Sequence, residues 1–254
     1  MTMTTSRVVA WGAALVVAAI SLAGCAPSDP ASSTARPSTS GTPAPGDAVA
    51  YVTATQQARG ELAGGAWLSR RLIDYLPNVH TEPPPSKPVL DTVVVGEVVD
   101  VEEGTAFQVP EGDGPEGAPN DGQTEVPFGT EDADWQTIHA TVQVSRGLGP
   151  TTIEPNLVEV GFVVSPSVDS ALFLDGLGNL GPAVFFADSE NPVFDYGEGI
   201  HGVAGQGTMV ATVDDAGQLA LPFMTDALAA EFLADSPTLD ALLAASKTPD
   251  RTLN

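Results

Sequence analysis

The 254-residue chain has one cysteine and few basic residues. Because Cys25 is alone, no disulfide bond can form within the chain, and the fold must be held by packing. Nine Lys and Arg stand against 33 Asp and Glu, which gives a formal net charge of −24 at pH 7. Nucleic-acid binding requires basic side chains that replace the counterions of phosphates, so this balance argues against a nucleic-acid partner.

An apolar run long enough to span a membrane is missing from the N-terminal region. Residues 8–22 carry no charge and follow Arg7, the one charged side chain before them. These fifteen residues would extend about 22 Å as a helix, which is less than the ~30 Å hydrocarbon core of a bilayer. The length therefore favours a signal peptide that is removed.

The end of this run carries the most specific motif of the chain. Residues 21–25 read Ser-Leu-Ala-Gly-Cys, which resembles the signal of bacterial lipoproteins, here of the high-GC, actinobacterial type. The resemblance implies cleavage between Gly24 and Cys25, a diacylglyceryl group on the sulfur of Cys25, and anchoring at the extracytoplasmic face of the cell membrane. The alternative is an ordinary secretory signal with an incidental Cys25.

Composition divides the chain into three parts. Residues 1–24 are the predicted lipoprotein signal peptide. Residues 25–47 begin with the lipidated Cys25 and are rich in Pro, Ser and Thr without an aromatic residue, so we expect a disordered tether. Residues 48–254 are long enough for one hydrophobic core, and we expect a single globular, β-rich domain.

Acidic residues are concentrated in residues 102–134, which hold ten Asp and Glu and no Lys or Arg. Glycine and proline residues scattered among them predict a long acidic loop between two strands. Most acidic loops are simply solvated, but carboxylate and amide oxygens also suit Ca²⁺. The candidate ligands are Glu111, Asp113, Glu116, Asn120 and Asp121. No cofactor other than this Ca²⁺ is predicted.

Hydrophobic periodicity predicts an α+β, mainly β domain: a small antiparallel barrel or sandwich, OB-like, with helices at its N- and C-terminal ends. The predicted helices are 48–59, 66–76, 226–234 and 237–247, with Asp47, Thr225 and Ser236 as N-caps. The predicted strands are 92–101, 105–109, 136–145, 157–164, 171–174, 183–187, 208–213 and 218–221. Gly96 is expected to mark a β-bulge or a point of close packing.

Several of these segments also carry a resemblance to a known family. Residues 91–98 (DTVVVGEV), the strand 137–145 followed by Arg146-Gly147, the Ala-Leu-Phe-Leu of 171–174 and the Gly-Gln-Gly-Thr of 205–208 recur in exported bacterial proteins of unassigned function. Their order also resembles the barrel core of netrin and tissue-inhibitor modules. The resemblance covers about half of the chain and implies an OB-like fold, without catalytic residues.

A glycine motif at residues 176–181, Gly-Leu-Gly-Asn-Leu-Gly, matches G-x-G-x-x-G. In a dinucleotide site these glycines open a helix whose N-terminus binds the pyrophosphate. Here Pro182 and another strand follow, so we expect a loop between two strands.

The histidines are the remaining candidates for chemistry. His80, His139 and His201 do not have the spacing of a helical zinc pair. His139 falls on the polar face of the strand at 136–145 and is expected to be solvated. His201 and Gln206 lie in a glycine-rich segment, 199–207, where a ligand can approach closely, so we take them as candidate ligand-loop residues.

Three functions are compatible with these observations. The first is binding of an envelope protein or a small ligand, by a protein attached to the membrane through its lipid, since no G-x-S-x-G or other catalytic motif is present. The second is an extracytoplasmic hydrolase that uses His201 with a carboxylate. The third is Ca²⁺ binding by the acidic loop. We expect the first, and a protein that is not an enzyme.

Overall fold

Strands dominate the part of the chain that the computed structural model describes, residues 45–62, 71–76, 79–80, 90–108, 123–148, 156–189, 196–247 and 251–252. In chain order the elements are α1 (Pro45–Leu62), a 3₁₀ helix (Leu72–Tyr75), β1 (Val79–His80), β2 (Thr92–Gln108), β3 (Thr124–Val126), β4 (Trp135–Gly147), β5 (Leu157–Val164), α2 (Ser170–Gly178), β6 (Ala183–Asp188), β7 (Ile200–Val203), α3 (Ala204–Gly207), β8 (Val210–Val213), β9 (Leu219–Ala220), α4 (Asp226–Leu233), α5 (Leu239–Ser246) and β10 (Arg251–Thr252). All of them belong to one compact unit, Thr42–Asn254. The α+β, mainly β fold class is confirmed.

The longest strand, β2, organises the sheet because it pairs with two partners. Its first five residues pair with β6, and from Val94 onward it pairs with β4, both antiparallel. The register with β4 shifts between Val95 and Gly96, as expected of a bulge. A Cβ on Gly96 would overlap the backbone of Gln143, so only glycine allows the two strands this approach.

Five strands close into a ring in the order β2-β4-β5-β7-β6, and the pairing of β6 with β2 completes it. The closing contacts are short: β7 forms three parallel pairs with β5 and two antiparallel pairs with β6. Closure removes the free edges that an open sheet would expose. A five-stranded ring is the OB-like barrel that the sequence predicted, with β3 and the β8–β9 hairpin extending the sheet beyond it.

The hydrophobic core fills this ring and the space beneath the helices. Ile138, Ala140 and Val142 of β4 are buried, as their alternation predicted. The largest fully buried side chains are phenylalanines, at positions Phe162, Phe173, Phe185, Phe186, Phe223 and Phe232. Each such side chain contributes about 1.5–3 kcal/mol to folding when it leaves water, which is how a chain without disulfides holds its fold.

The polar face of β4 is less exposed than its sequence predicts. Thr137 is fully buried, and its hydroxyl accepts a hydrogen bond of 3.0 Å from the N–H of Thr105. His139 is half-buried, with Nε2 3.2 Å from the same hydroxyl oxygen, and burial lowers its pKa from the ordinary value. Both side chains fit because Gly104 of β2 lies against them without a side chain. The prediction of a solvated His139 is wrong.

The segment at 171–174, predicted as a strand, is helical and belongs to α2. Asp169 caps this helix through a hydrogen bond that its side chain accepts from the N–H of Leu172. The predicted loop at 176–181 is therefore in part the end of a helix, the opposite of what a dinucleotide site requires. Gly176 lets α2 approach α1 so closely that a Cβ there would overlap the carbonyl of Ala48.

Other boundaries also differ from prediction. The acidic segment 102–134 is not one loop, because its first residues continue β2 as far as Gln108 and Thr124–Val126 form β3. Helix α5 is capped by Thr238, which accepts from the N–H of Ala241, and not by Ser236. Of the helix predicted at 66–76, the described part forms only a 3₁₀ helix.

Among the described residues, no helix has both the length and the hydropathy needed to cross a membrane.

Replacing Gly176 tests the close helix crossing. We expect Gly176→Ala to lower the free energy of unfolding by about 1–3 kcal/mol, because the backbone of Ala48 cannot move aside for a methyl group without repacking α1. Gly178→Ala, in the same helix with nothing within 4 Å of the added carbon, is the matched control and should be neutral or slightly stabilising. Urea unfolding measures both, and equal effects would contradict the packing argument.

Candidate functional site

His201 lies in β7 and not in a loop, which corrects the sequence prediction. Its backbone pairs with Val160 of β5, while the next residue, Gly202, pairs with Asp188 of β6. The imidazole is therefore held at the seam where the ring closes, where strand pairing fixes its position more firmly than a glycine-rich loop would.

Four polar side chains meet at this seam, and we call Asp91, Thr92, Ser189 and His201 the seam cluster. Nδ1 of His201 lies 2.9 Å from Oγ1 of Thr92 and 4.0 Å from Oδ1 of Asp91. The carboxylate of Asp91 accepts hydrogen bonds from the hydroxyls of Thr92 (2.8 Å) and Ser189, and from the N–H of Ser189 (3.0 Å). The cluster thus joins the beginning of β2 to the end of β6 and to β7.

The hydrogen bonds of the cluster determine its protonation. Partial burial would raise the pKa of Asp91, but the hydrogen bonds from Ser189 and Thr92 and the charge of His201 outweigh it, so the pKa lies below its ordinary value. Because Thr92 donates its one hydroxyl proton to Asp91, its oxygen accepts from Nδ1–H of His201. Nε2 is then the basic nitrogen of the ring.

This geometry differs from that of a serine hydrolase. There the nucleophilic hydroxyl donates to the imidazole, and the carboxylate binds the opposite ring nitrogen. Here the hydroxyl of Ser189 donates to the carboxylate, and Thr92 occupies Nδ1. Within the described residues, no serine is hydrogen-bonded to His201. The arrangement is suited to tying strands together.

Gln206, the second predicted ligand-loop residue, lies in the tight turn α3 that follows β7. It is the one described non-glycine residue with a positive φ, 59°, between Gly205 at 65° and Gly207 at 94°. A left-handed conformation costs a non-glycine residue about 1–2 kcal/mol. Gly207 packs against Phe162 and the side chain of Gln56, whose buried amide has no hydrogen-bond partner in the described part of the chain. The side-chain partners found for His201 in the described residues are Thr92 and Asp91, and Gln206 forms no hydrogen bond with it.

A groove of about 270 Å³ lies elsewhere, between α1 and the segment that joins β5 to α2. Its α1 wall consists of Tyr51, Thr55, Ala58 and Arg59, and its other wall of Ser165, Ser167 and Val168. The spacing of the first four places them on one face of the helix. We call this depression the Arg59 groove.

Arg59 is the one basic residue of the groove, and its Nε is buried without a hydrogen-bond acceptor. No carboxylate of the described residues forms an ion pair with it. Burial lowers the pKa of its guanidinium, whereas the nearby Tyr196 acts in the opposite direction. Since arginine stays protonated in proteins, the groove holds an uncompensated positive charge. Arg59 as a whole is half-buried, so a ligand that displaces water from the guanidinium must offer an acceptor in its place.

The remaining predicted site residues lie outside the described part of the chain. They are Gly24 and Cys25 of the predicted cleavage and lipidation site, and Glu111, Asp113, Glu116, Asn120 and Asp121 of the predicted Ca²⁺ site. Among the residues that are described, no group of three or more His, Cys, Asp or Glu is arranged to hold a metal ion.

Comparison with known proteins identified no relative of this chain. No family model matches the chain, and neither a curated protein nor a solved structure does.

Sequence reasoning missed the Arg59 groove. One signal was present, because Arg59 is the only Lys or Arg between residues 45 and 62 and stands one and two turns after Thr55 and Tyr51. The partner wall comes from residues more than one hundred positions away, and periodicity along α1 gives no indication of it.

The seam cluster predicts a pH-dependent contribution to stability. The folded pKa of Asp91 lies below its unfolded value of ~3.9. Its stabilisation is therefore complete above that value and is lost as the pH falls through the folded pKa. We expect Asp91→Asn to lower the free energy of unfolding at pH 7, and the difference from wild type to shrink between pH 5 and pH 3.

Urea unfolding at pH 7, 5 and 3 measures this difference. Asp215→Asn, at an exposed position in the turn between β8 and β9, serves as the matched control. If both variants showed the same small, pH-independent change, Asp91 would not hold the seam.

Proposed function

We propose that this chain is a lipoprotein of the bacterial cell envelope, anchored at the extracytoplasmic face of the membrane through lipid on Cys25, whose domain binds a small ligand. The Ser-Leu-Ala-Gly-Cys sequence at residues 21–25 supports the anchor. The Pro-, Ser- and Thr-rich composition of residues 26–44, which precede α1, is typical of a tether between a lipid anchor and a domain.

The observation that carries the binding function is the unpaired Arg59 in its groove. Arg59 is half-buried, and the protein gives its buried Nε no acceptor among the described residues. A ligand oxygen that reaches the exposed part of the guanidinium supplies a charge-assisted hydrogen bond that the protein itself does not form, and this bond contributes to affinity. In the seam cluster, by contrast, the hydroxyls of Thr92 and Ser189 both donate to the carboxylate of Asp91.

Cys25→Ala tests the anchor. We expect the wild-type protein to partition into the membrane fraction and the variant to be released or to remain as an unprocessed precursor, since two acyl chains provide the attachment. Mass spectrometry should find the mature chain beginning at Cys25 with a diacylglyceryl thioether.

Ala26→Ser, which leaves the cysteine in place, is the control for general effects of substitution near the cleavage site. An unmodified thiol at Cys25, or a variant that stays as firmly membrane-bound as wild type, would refute lipid anchoring.

Thermal unfolding with a panel of small anions, cations and sugars tests the binding function. A ligand at ten times its Kd stabilises the protein by about 1.4 kcal/mol. We expect at least one compound to do so, and Ala58→Glu, which fills the groove, to abolish the effect. His201→Ala should retain it, whereas loss of the effect only in His201→Ala would point to the seam instead. A panel without any stabilising compound would speak against a small-ligand function.

A further inference from the structure

The Arg59 groove has the size of a site for a small molecule. Its volume of about 270 Å³ is just below the ~300–1,000 Å³ of pockets that hold drug-sized ligands. A ligand of a few carbon atoms fits such a space, whereas a folded partner protein would need a far larger surface.

The charge in the groove is a single fixed cation. Among the residues that the structure describes, none accepts a hydrogen bond from Nε of Arg59, and no acidic side chain lines the groove. The nearest acid in sequence to the second wall, Asp169, is engaged at the beginning of α2, where it accepts the N–H of Leu172. The positive charge of the groove is therefore not neutralised by its own walls.

Side chains with hydroxyl groups line the same groove as Arg59. Oγ of Ser165 and Oγ of Ser167 lie 2.9 Å apart and share one hydrogen bond, which leaves one hydroxyl proton of the pair to donate elsewhere. The hydroxyl oxygen of Tyr51 accepts the N–H of Asp169 at 2.7 Å, so its own proton also remains available. The groove thus offers a guanidinium and several hydroxyl donors, the set of groups that recognises an oxyanion.

We propose that the Arg59 groove binds a small organic monocarboxylate, an inference that names the ligand class of the proposed binding function and rests on it. One guanidinium balances one negative charge, whereas a phosphate dianion would bring a second charge into a chain whose net charge is −24. The side chains of Ala58 and Val168 add an apolar wall for a short carbon chain. A planar carboxylate also matches the fork of the guanidinium.

The negative surface of the chain does not prevent this binding. Charges on the solvent-exposed surface are screened over about 8 Å at physiological ionic strength. The guanidinium and the hydroxyls of the groove contact the ligand directly, so they outweigh distant carboxylates. The long-range repulsion slows association of an anion, and we expect a weaker complex at low salt than at moderate salt.

Thermal unfolding of the full-length protein in detergent tests the ligand class. The probes are sodium acetate, propionate and butyrate, with inorganic phosphate as the competing oxyanion and sodium chloride at matched ionic strength as the blank. We expect Tm to rise by about 3–6 °C at ten times the Kd of the carboxylate and to go on rising with the logarithm of its concentration. Phosphate should give no more than the blank.

Ala58→Glu locates the site. Residue 58 is exposed on α1, so the substitution leaves the core intact while placing a carboxylate of the chain itself beside Arg59. We expect the carboxylate-induced rise in Tm to be lost. Ala54→Glu, one turn earlier at another exposed position outside the groove, adds the same charge and should retain the rise.

Arg59→Lys tests whether binding of the carboxylate needs the planar guanidinium or only its positive charge. Lysine keeps the positive charge but lacks the planar fork, so one charge-assisted hydrogen bond to the carboxylate is lost. We therefore expect the Kd for the carboxylate to rise at least about tenfold. Arg146→Lys, at an exposed position at the end of β4, should leave the Kd unchanged.

Three outcomes would overturn the inference: no rise in Tm beyond the blank with any carboxylate, an equal or larger rise with phosphate, or a rise that Ala58→Glu retains. If another class of compound in the panel above bound the groove instead, the proposed binding function would stand and the monocarboxylate would be wrong. Release of the protein by Cys25→Ala bears on the anchor alone and leaves this test unaffected.

Discussion

The double pairing of β2 is the constraint on which the rest of the structure depends. One strand pairs with β6 at its beginning and with β4 along the remainder, and the bend at Gly96 makes both possible. The ring then packs into one hydrophobic core without a disulfide. The same pairing places Asp91 and Thr92 beside Ser189 and His201, so the seam cluster is a consequence of ring closure. Its hydrogen bonds reinforce the part of the ring where β7 contributes the fewest strand pairs.

The packing of helix α1 against α2 is the second constraint, because it forms the Arg59 groove. Its contact with α2 depends on Gly176, and this contact brings the face of α1 that carries Arg59 opposite the segment that enters α2. The acidic composition of the chain gives no indication of this locally positive groove. Net charge describes the long-range field, whereas the groove depends on a few groups at contact distance. A strongly negative net charge and a locally positive groove are therefore compatible in one molecule.

Sequence patterns correctly predicted those elements whose local residue preferences favour the same secondary structure as their packing in the fold. The alternation in β4 predicted the strand and its buried face, and the turn residues between β8 and β9 predicted a hairpin. These patterns failed at 171–174, because a short apolar run is compatible with either a strand or a helix. The segment is helical, and its helix begins after the N-cap residue Asp169. They also failed at His139, because burial of its face depends on Gly104 of a neighbouring strand. His201 was identified as a residue of interest, yet its side-chain partners, Asp91 and Thr92, lie at the beginning of a strand distant in the sequence.

Composition and local pattern by themselves determined that this chain is acidic, without internal disulfides, α+β and mainly β, because these properties follow from residue counts and short-range periodicity. The lipoprotein-like motif at Cys25 likewise belongs to the sequence alone. Only the tertiary structure decided that Asp91 accepts hydrogen bonds from Ser189, that His201 lies at the seam, and that Arg59 shares a groove with Ser165 and Ser167. These relations join residues about one hundred positions apart, and no pattern along the chain specifies which distant groups the folding of the ring brings together.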